Sequence, residues 1–217
     1  MRNLLKSWTR TGTIASLCLA LLLASGILAE PTAALAAGPQ DNVRNFYATL
    51  LTTMKDGRTL GQSGRYARLA PVVDRVFDVP SMARLAVGSF WAALPPDQQQ
   101  RLTEAFRHYV AATYADRFDS YSGEQLQVTG ERPYSADVIV ETRIVKSNGE
   151  TTTLNYLTRQ NQGTWQISDV YLDGTISQLA VQRSEFNSVL RREGVDGLVI
   201  ALNRKVDLLS RGVAKAS

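Results

Sequence analysis

The sequence predicts an α+β fold: a curved four-stranded antiparallel sheet with about six helices packed on one face. Three observations support this. Apolar residues recur at helical spacing before residue 118, alternate as in strands over residues 126–172, and return to helical spacing after Gly174. Consecutive strands joined by short turns form an antiparallel meander. Helices at both ends of such a meander are placed to cover one face of the sheet.

Four helices are predicted before the sheet. Three of them span residues 39–54, 66–77 and 81–86, with a loop expected at residues 61–64. Pro95, Pro96 and Asp97 open a long fourth helix. Its buried face is formed by Leu102, Phe106, Tyr109, Val110, Thr113, Tyr114 and Phe118.

Four strands are predicted from two-residue alternation. The first begins at residue 126, the second covers residues 138–145 and the third residues 152–158, with turn signals at 147–149 and 161–163. The fourth begins at Trp165, but its apolar residues change parity between Ile167 and Val170. A β-bulge near Ser168 and Asp169 would return them to one face of the sheet.

Two helices are predicted after the fourth strand. Gly174 ends that strand, and apolar residues then recur at helical spacing over residues 176–190. Gly194 is well placed to end this helix with a positive φ. Asp196 is a suitable cap for a second helix, which carries Leu198, Leu202, Val206 and Leu209.

Residues 1–36 have the features of a cleaved secretory signal peptide. Basic residues precede an apolar run over residues 14–28, and Ala34-Leu35-Ala36 is a small-x-small cleavage site. The alternative is an uncleaved membrane anchor, although the apolar run is shorter than the ~20 residues that span a bilayer. Cleavage removes Cys18, the only cysteine, and leaves residues 37–217 as a single domain.

Composition gives no support for nucleic-acid binding or metal chemistry. The net charge is +4, and loss of the leader's three basic residues and Glu30 leaves +2, without arginine-rich blocks. His108 is the only histidine and lies opposite the apolar stripe of its helix. Asp169 and Asp173 lack a dense acidic cluster and are interpreted as turn or cap residues. We therefore predict no metal, no cofactor and no nucleic-acid partner.

Three stretches together resemble a known family. They are GTWQISDVYLDGTISQLAVQRSEFNSVLRREGVDGLVIAL from residue 163, VFDVPSMARLAVGSFW at residues 76–91 and LPPDQQQRLTEAF at residues 94–106. The set is similar to the toluene-tolerance (MlaC-like) family of periplasmic lipid-binding proteins, and its details look most like the branch associated with hopanoid biosynthesis. The resemblance covers residues 43–209.

The resemblance implies a role and partners for the protein. Members of the family are soluble, non-enzymatic periplasmic carriers that hold a phospholipid in an apolar cavity and shuttle it between the inner and outer membranes; a hopanoid is the alternative cargo. An inner-membrane ABC transporter complex and an outer-membrane lipoprotein are the implied partners. We expect the carrier to act as a monomer.

Lining residues for such a cavity are predicted from the inner parity of the sheet and the facing stripes of the helices. They are Leu85, Trp91, Val110, Tyr114, Val138, Val140, Leu154, Tyr156, Trp165, Leu179 and Phe186. Two alternatives stay open. The same apolar residues suit the solid core of a structural or adaptor protein. A small enzyme with a steroid-isomerase-like fold would instead use Asp169 with Tyr114 or Tyr156.

Overall fold

The computed structural model describes residues 37–211, which form an α+β fold. Before the sheet come α1 (Pro39–Lys55), α2 (Gly57–Val76), α3 (Val79–Val87), a 3-10 helix (Gly88–Ala93) and α4 (Pro96–Arg117). The strands are β1 (Gln125–Tyr134), β2 (Asp137–Val145), β3 (Thr151–Asn161), β4 (Thr164–Leu172) and β5 (Ile176–Ser177), and α5 (Gln178–Ser210) follows them. The predicted signal peptide lies outside the described residues.

The sheet is antiparallel throughout, and its strands lie in chain order from β1 to β5. Its four long strands are the predicted meander, but the described sheet has five strands, so the predicted number of four is wrong. The two-residue β5 pairs with the end of β4 across a turn in which Asp173 and Gly174 have φ values of 51° and 76°. Ile176 therefore extends the sheet, because this tight turn returns the chain to β4 before α5 begins.

The predicted bulge in β4 is confirmed. The pairing of β3 with β4 shifts register so that Ser168 is the extra residue. Ile167 and Val170, on either side of the bulge, both join the main core, with 0% and 8% exposure. The bulge thus turns two residues of opposite parity toward the helices.

Within residues 37–211 there are five α-helices and one 3-10 helix, where about six helices were expected. The expected loop at residues 61–64 is instead a kink in α2, where Gly61 has φ 58° and ψ −175°. The two predicted C-terminal helices form α5, which is kinked at Gly194 with φ 66° and ψ −164°. Both backbone conformations are essentially restricted to glycine, so each glycine permits a change of helix direction. The positive φ predicted for Gly194 is confirmed.

The main core lies between the helices and the sheet face that carries alternate residues of β2 and β3. At its centre is Phe46 of α1, which is fully buried. Its ring packs edge-on against Phe77, Tyr114 and Tyr156, with centroids 5.2, 5.0 and 6.4 Å away. Aromatic rings therefore fill the space beneath α1.

Candidate functional site

A cavity of ≈ 340 Å³ lies between α4, the first turns of α5 and strands β2–β4. Its apolar walls come from Phe77, Met82, Val110, Phe118, Ile144, Leu154, Val170, Leu172, Leu179 and Val181. Its polar lining comes from Tyr109, Thr113, Tyr114, Arg117, Thr152, Asp169, Gln178, Gln182 and Glu185. Val181 is 56% exposed, so the cavity is open to solvent at its α5 side.

Two facing surfaces form the walls of the cavity. On α4, Val110, Tyr114 and Arg117 recur at spacings of three and four residues and share one helix face. On the sheet, Leu154 and Leu172 are directly paired across β3 and β4. Helical and strand periodicity thus bring apolar side chains from distant parts of the chain to one space.

The roof of the cavity is the N-terminus of α5, and Asp169 of β4 holds it in place. Its Oδ1 accepts hydrogen bonds from the backbone N–H groups of Val170 at 2.7 Å and Leu179 at 3.1 Å, and its Oδ2 accepts one from Ser177 Oγ at 2.5 Å. Ser177 Oγ in turn accepts from the N–H of Ala180 at 2.9 Å and caps the helix.

Burial raises the pKa of Asp169, and the hydrogen bonds from Ser177, Val170 and Leu179 oppose that rise. Both carboxylate oxygens are engaged in fixing α5 to the sheet. This agrees with the turn or cap role expected for Asp169 from the sequence.

The inner end of the cavity adjoins a group of tyrosines. Tyr114 stacks on Phe118 with ring centroids 5.8 Å apart. Behind it, Tyr47 Oη lies 2.6 Å from Thr142 Oγ1, while the buried hydroxyl of Tyr156 has no hydrogen-bond partner among the described residues. Burial is the main cause that raises the pKa of Tyr114 and of Tyr156. All of these phenols therefore stay neutral at physiological pH.

The mouth of the cavity carries two charged groups with different surroundings. Glu185 of α5 forms an ion pair with Lys205 at 2.5 Å, and the Lys205 ammonium lies 5.5 Å from the centre of the Tyr109 ring. Arg117 of α4 has no hydrogen bond and no ion pair with another described residue. The mouth thus presents one unpaired cation beside an apolar space.

The structure brings some of the predicted lining residues together and separates others. Val110, Tyr114, Leu154 and Leu179 line the cavity. Val140, Tyr156 and Phe186 are buried in the main core, Trp91, Val138 and Trp165 are half-buried elsewhere, and Leu85 is 39% exposed. Ligand contact by any of these residues stays a prediction.

Sequence reasoning missed several residues of the cavity. Arg117 follows Tyr114 by three residues and Val110 by seven, so it continues the stripe that the apolar pattern defined. Periodicity alone does not assign it to a site, because a basic residue in the last turn of a helix is also favoured there by the helix dipole. Gln182 and Glu185 have no such signal, because polar residues on α5 do not follow its apolar periodicity.

Other site types find little support in residues 37–211. No group of three or more His, Cys, Asp or Glu side chains there is arranged to hold a metal ion. His108 bonds to Glu104 at 2.8 Å on the exposed side of α4, away from the cavity lining. None of the helices in this part of the chain is both long and apolar enough to cross a membrane.

Comparison with known proteins identifies a matching family and a similar solved structure. The sequence model of the MlaC protein family matches residues 44–204. A solved structure of a phospholipid-binding protein from Ralstonia solanacearum, in complex with a phospholipid, is similar in fold, with a TM-score of 0.67. The two sequences are 25% identical, and the match covers 80% of this chain and 99% of that one.

Proposed function

The chain belongs to the MlaC family, and from that premise we propose that it is a soluble periplasmic lipid carrier. It holds the acyl chains of a phospholipid in the cavity between α4, α5 and the sheet, and shuttles the lipid between the inner and outer membranes as part of an ABC-transporter system. The observation that carries the proposal is the solvent-open, largely apolar cavity, in a fold shared with a protein that binds phospholipid.

The need for a dry cavity follows from the chemistry of the cargo. A two-chain lipid has ~30 methylenes, and exposing each to water costs about 0.8 kcal/mol. A carrier must therefore bury most of the chains, whereas the headgroup is free to stay in water. The cavity of ≈ 340 Å³ is at the lower end of small-molecule sites, which span about 300–1,000 Å³. Holding a whole lipid accordingly requires the cavity to widen and close around it.

The polar fixing of α5 supports such widening. The roof is attached to the sheet by the hydrogen bonds of Asp169 with Ser177 and Leu179 and by the buried side chain of Leu179, while Val181 is 56% exposed. Movement of this segment would enlarge the cavity without opening the aromatic core around Phe46. The exposed Val181 and Glu185, which line the cavity, would border the path that a lipid takes.

Export and partners complete the proposal. Residues 1–36 act as a signal peptide that is cleaved after Ala36, and residues 37–217 work as one monomeric domain. An inner-membrane ABC transporter complex and an outer-membrane lipoprotein load and unload the carrier, because transfer from bilayer to cavity is nearly balanced in free energy and needs a partner to drive release. A hopanoid is the alternative cargo.

The test is to express the full-length chain in a Gram-negative host, purify it from the periplasm and examine it by native mass spectrometry. We expect an N-terminus at Ala37 and a bound mass that extraction identifies as lipid. The protein after organic extraction and refolding serves as the lipid-free control. A polypeptide that retains Met1 in the membrane fraction, or one that never carries lipid, contradicts the proposal.

A further inference from the structure

Arg117 is the charged residue at the cavity whose role the fold does not explain. It lies in the last turn of α4 and lines the cavity beside Tyr114. The other charged lining residues are already engaged. Asp169 accepts three hydrogen bonds, two of which fix the start of α5, and Glu185 is paired with Lys205. Arg117 has no hydrogen bond or ion pair with any residue in the described part of the chain.

The position of Arg117 sets the kind of group it would meet. Its helix face also carries Val110 and Tyr114, which point to the apolar interior of the cavity, while Arg117 itself is exposed. A molecule whose chains lie against Val110 would place its polar end one to two helical turns away, near Arg117. A guanidinium presents a planar fork of donors that matches the oxygens of a phosphate group.

We propose that Arg117 binds the phosphodiester of the lipid whose chains occupy the cavity, and so selects phospholipids over uncharged lipids. Gln182 on the facing segment of α5 is a second free donor at the same cavity, since no described residue hydrogen-bonds to its side chain. The inference rests on the proposed carrier function and adds a preference to it. A neutral polycyclic lipid would leave Arg117 without a partner.

The test compares two lipids that have the same chains. Vesicles containing equal amounts of dioleoyl phosphatidylglycerol and dioleoylglycerol are incubated with the mature protein, which is re-isolated so that both bound lipids can be quantified. We expect the wild type to be enriched in phosphatidylglycerol about two- to fivefold, the range for an exposed ion pair. In Arg117→Gln the enrichment should fall to about one.

Two controls accompany this measurement. Arg204→Gln removes the same charge from an exposed position on α5 that does not line the cavity, and it should leave the enrichment unchanged. Raising the salt concentration to about 1 M should lower the wild-type enrichment, because ionic screening weakens exposed charge pairs. Arg117→Lys keeps the charge but loses the fork, and should retain part of the preference.

The outcomes separate the two proposals. If the wild type takes up neither lipid, the carrier function itself is wrong. If wild type and Arg117→Gln take up phosphatidylglycerol with the same enrichment, the carrier function stands and the role of Arg117 is wrong. If Arg117→Gln does not fold, the salt dependence of the wild type decides, and an enrichment that is insensitive to salt overturns the inference.

Discussion

The interior of the protein has two regions that differ in how completely they are filled. Under α1, the ring of Phe46 meets four other aromatic rings with centroids 6.4 Å away or closer, and its exposure is 0%. Between α4 and α5 the same sheet face is left partly uncovered, and a cavity of ≈ 340 Å³ remains. Tyr114 lies at the boundary and belongs to both regions.

Side-chain size and the covering helix account for the difference. In the filled region, Phe46 and Tyr47 of α1 lie over Tyr156 of β3, with ring centroids 6.4 and 5.7 Å from it. In the open region, the sheet contributes smaller residues such as Thr152 and Leu154, and the roof is the polar N-terminus of α5. The apolar sheet face is thus filled core where the rings of α1 lie over it, and is left as a cavity between α4 and the start of α5.

The largest effect is expected in the filled region. Phe46→Ala removes a fully buried ring and should lower the free energy of unfolding by about 3–5 kcal/mol. Phe118 is a half-buried residue of the cavity wall. Phe118→Ala should lower the free energy of unfolding by clearly less, because solvent already reaches that space. Denaturant unfolding of both variants measures the difference. Equal losses would mean that the two regions are packed alike.

The next effect concerns the attachment of the roof. Asp169→Ala leaves the buried N–H of Leu179 and the hydroxyl of Ser177 without their acceptor, at about 1–3 kcal/mol for each unpaired group. We expect lower stability together with faster hydrogen exchange at the start of α5. Asp137→Ala, which breaks an ion pair with Arg159 away from the cavity, is the control. Unchanged exchange at Leu179 would show that other contacts hold the roof.

The two helix kinks offer a matched pair of backbone changes. Gly61 and Gly194 have nearly the same φ and ψ, and a Cβ added at either one meets no atom within 4 Å. Gly61→Val and Gly194→Val should each cost about 1–3 kcal/mol from backbone strain alone. Only Gly194→Val should also change lipid retention, since α5 roofs the cavity. If both variants lost lipid, the kink in α2 would affect the cavity as much as the kink in α5, contrary to this prediction.

The smallest effect on stability is expected inside the cavity. Leu154→Gln places an amide where water has access, and should cost less than about 1.5 kcal/mol while lowering the amount of bound lipid. Val140 pairs with Tyr156, two residues from Leu154 along β3, and lies in the filled core at 0% exposure. Val140→Gln should therefore lower the free energy of unfolding by several kcal/mol. Thermal unfolding and lipid extraction on both variants test this. A Leu154→Gln variant that unfolds like Val140→Gln would assign Leu154 to ordinary core.

The sequence predicted those features of the fold that depend on a few neighbouring residues. The change of parity after Ile167 predicted the bulge at Ser168. Gly194 predicted a helix end with positive φ, which the structure shows as the kink in α5. Each signal depends on a few neighbouring residues. Ile176 was assigned wrongly to a helix, since an apolar residue next to a turn fits either a strand or the first turn of a helix.

The cavity was harder to place than the fold. Val140, Leu154 and Tyr156 share the inward parity of the sheet, and nothing in their periodicity distinguishes them. Only Leu154 lines the cavity, because Val140 and Tyr156 are buried in the main core, whereas the space between α4 and the start of α5 lies over Leu154. Periodicity indicates which face of the sheet a residue lies on. Whether that residue is buried in the core or lines the cavity depends on which helix covers it, and those helices are remote in sequence.

The separation of α4 and α5 along the chain has a consequence for folding. The strands are consecutive, so their pairing needs only short loops to close, whereas α4 and α5, which wall the cavity, are separated in the chain by the entire sheet. Contacts of high sequence separation are formed slowly, because the entropy of closing a long loop must be overcome first. We therefore expect the cavity to be the last part of the molecule to assemble, from a folding intermediate whose apolar sheet face is still exposed and prone to aggregation.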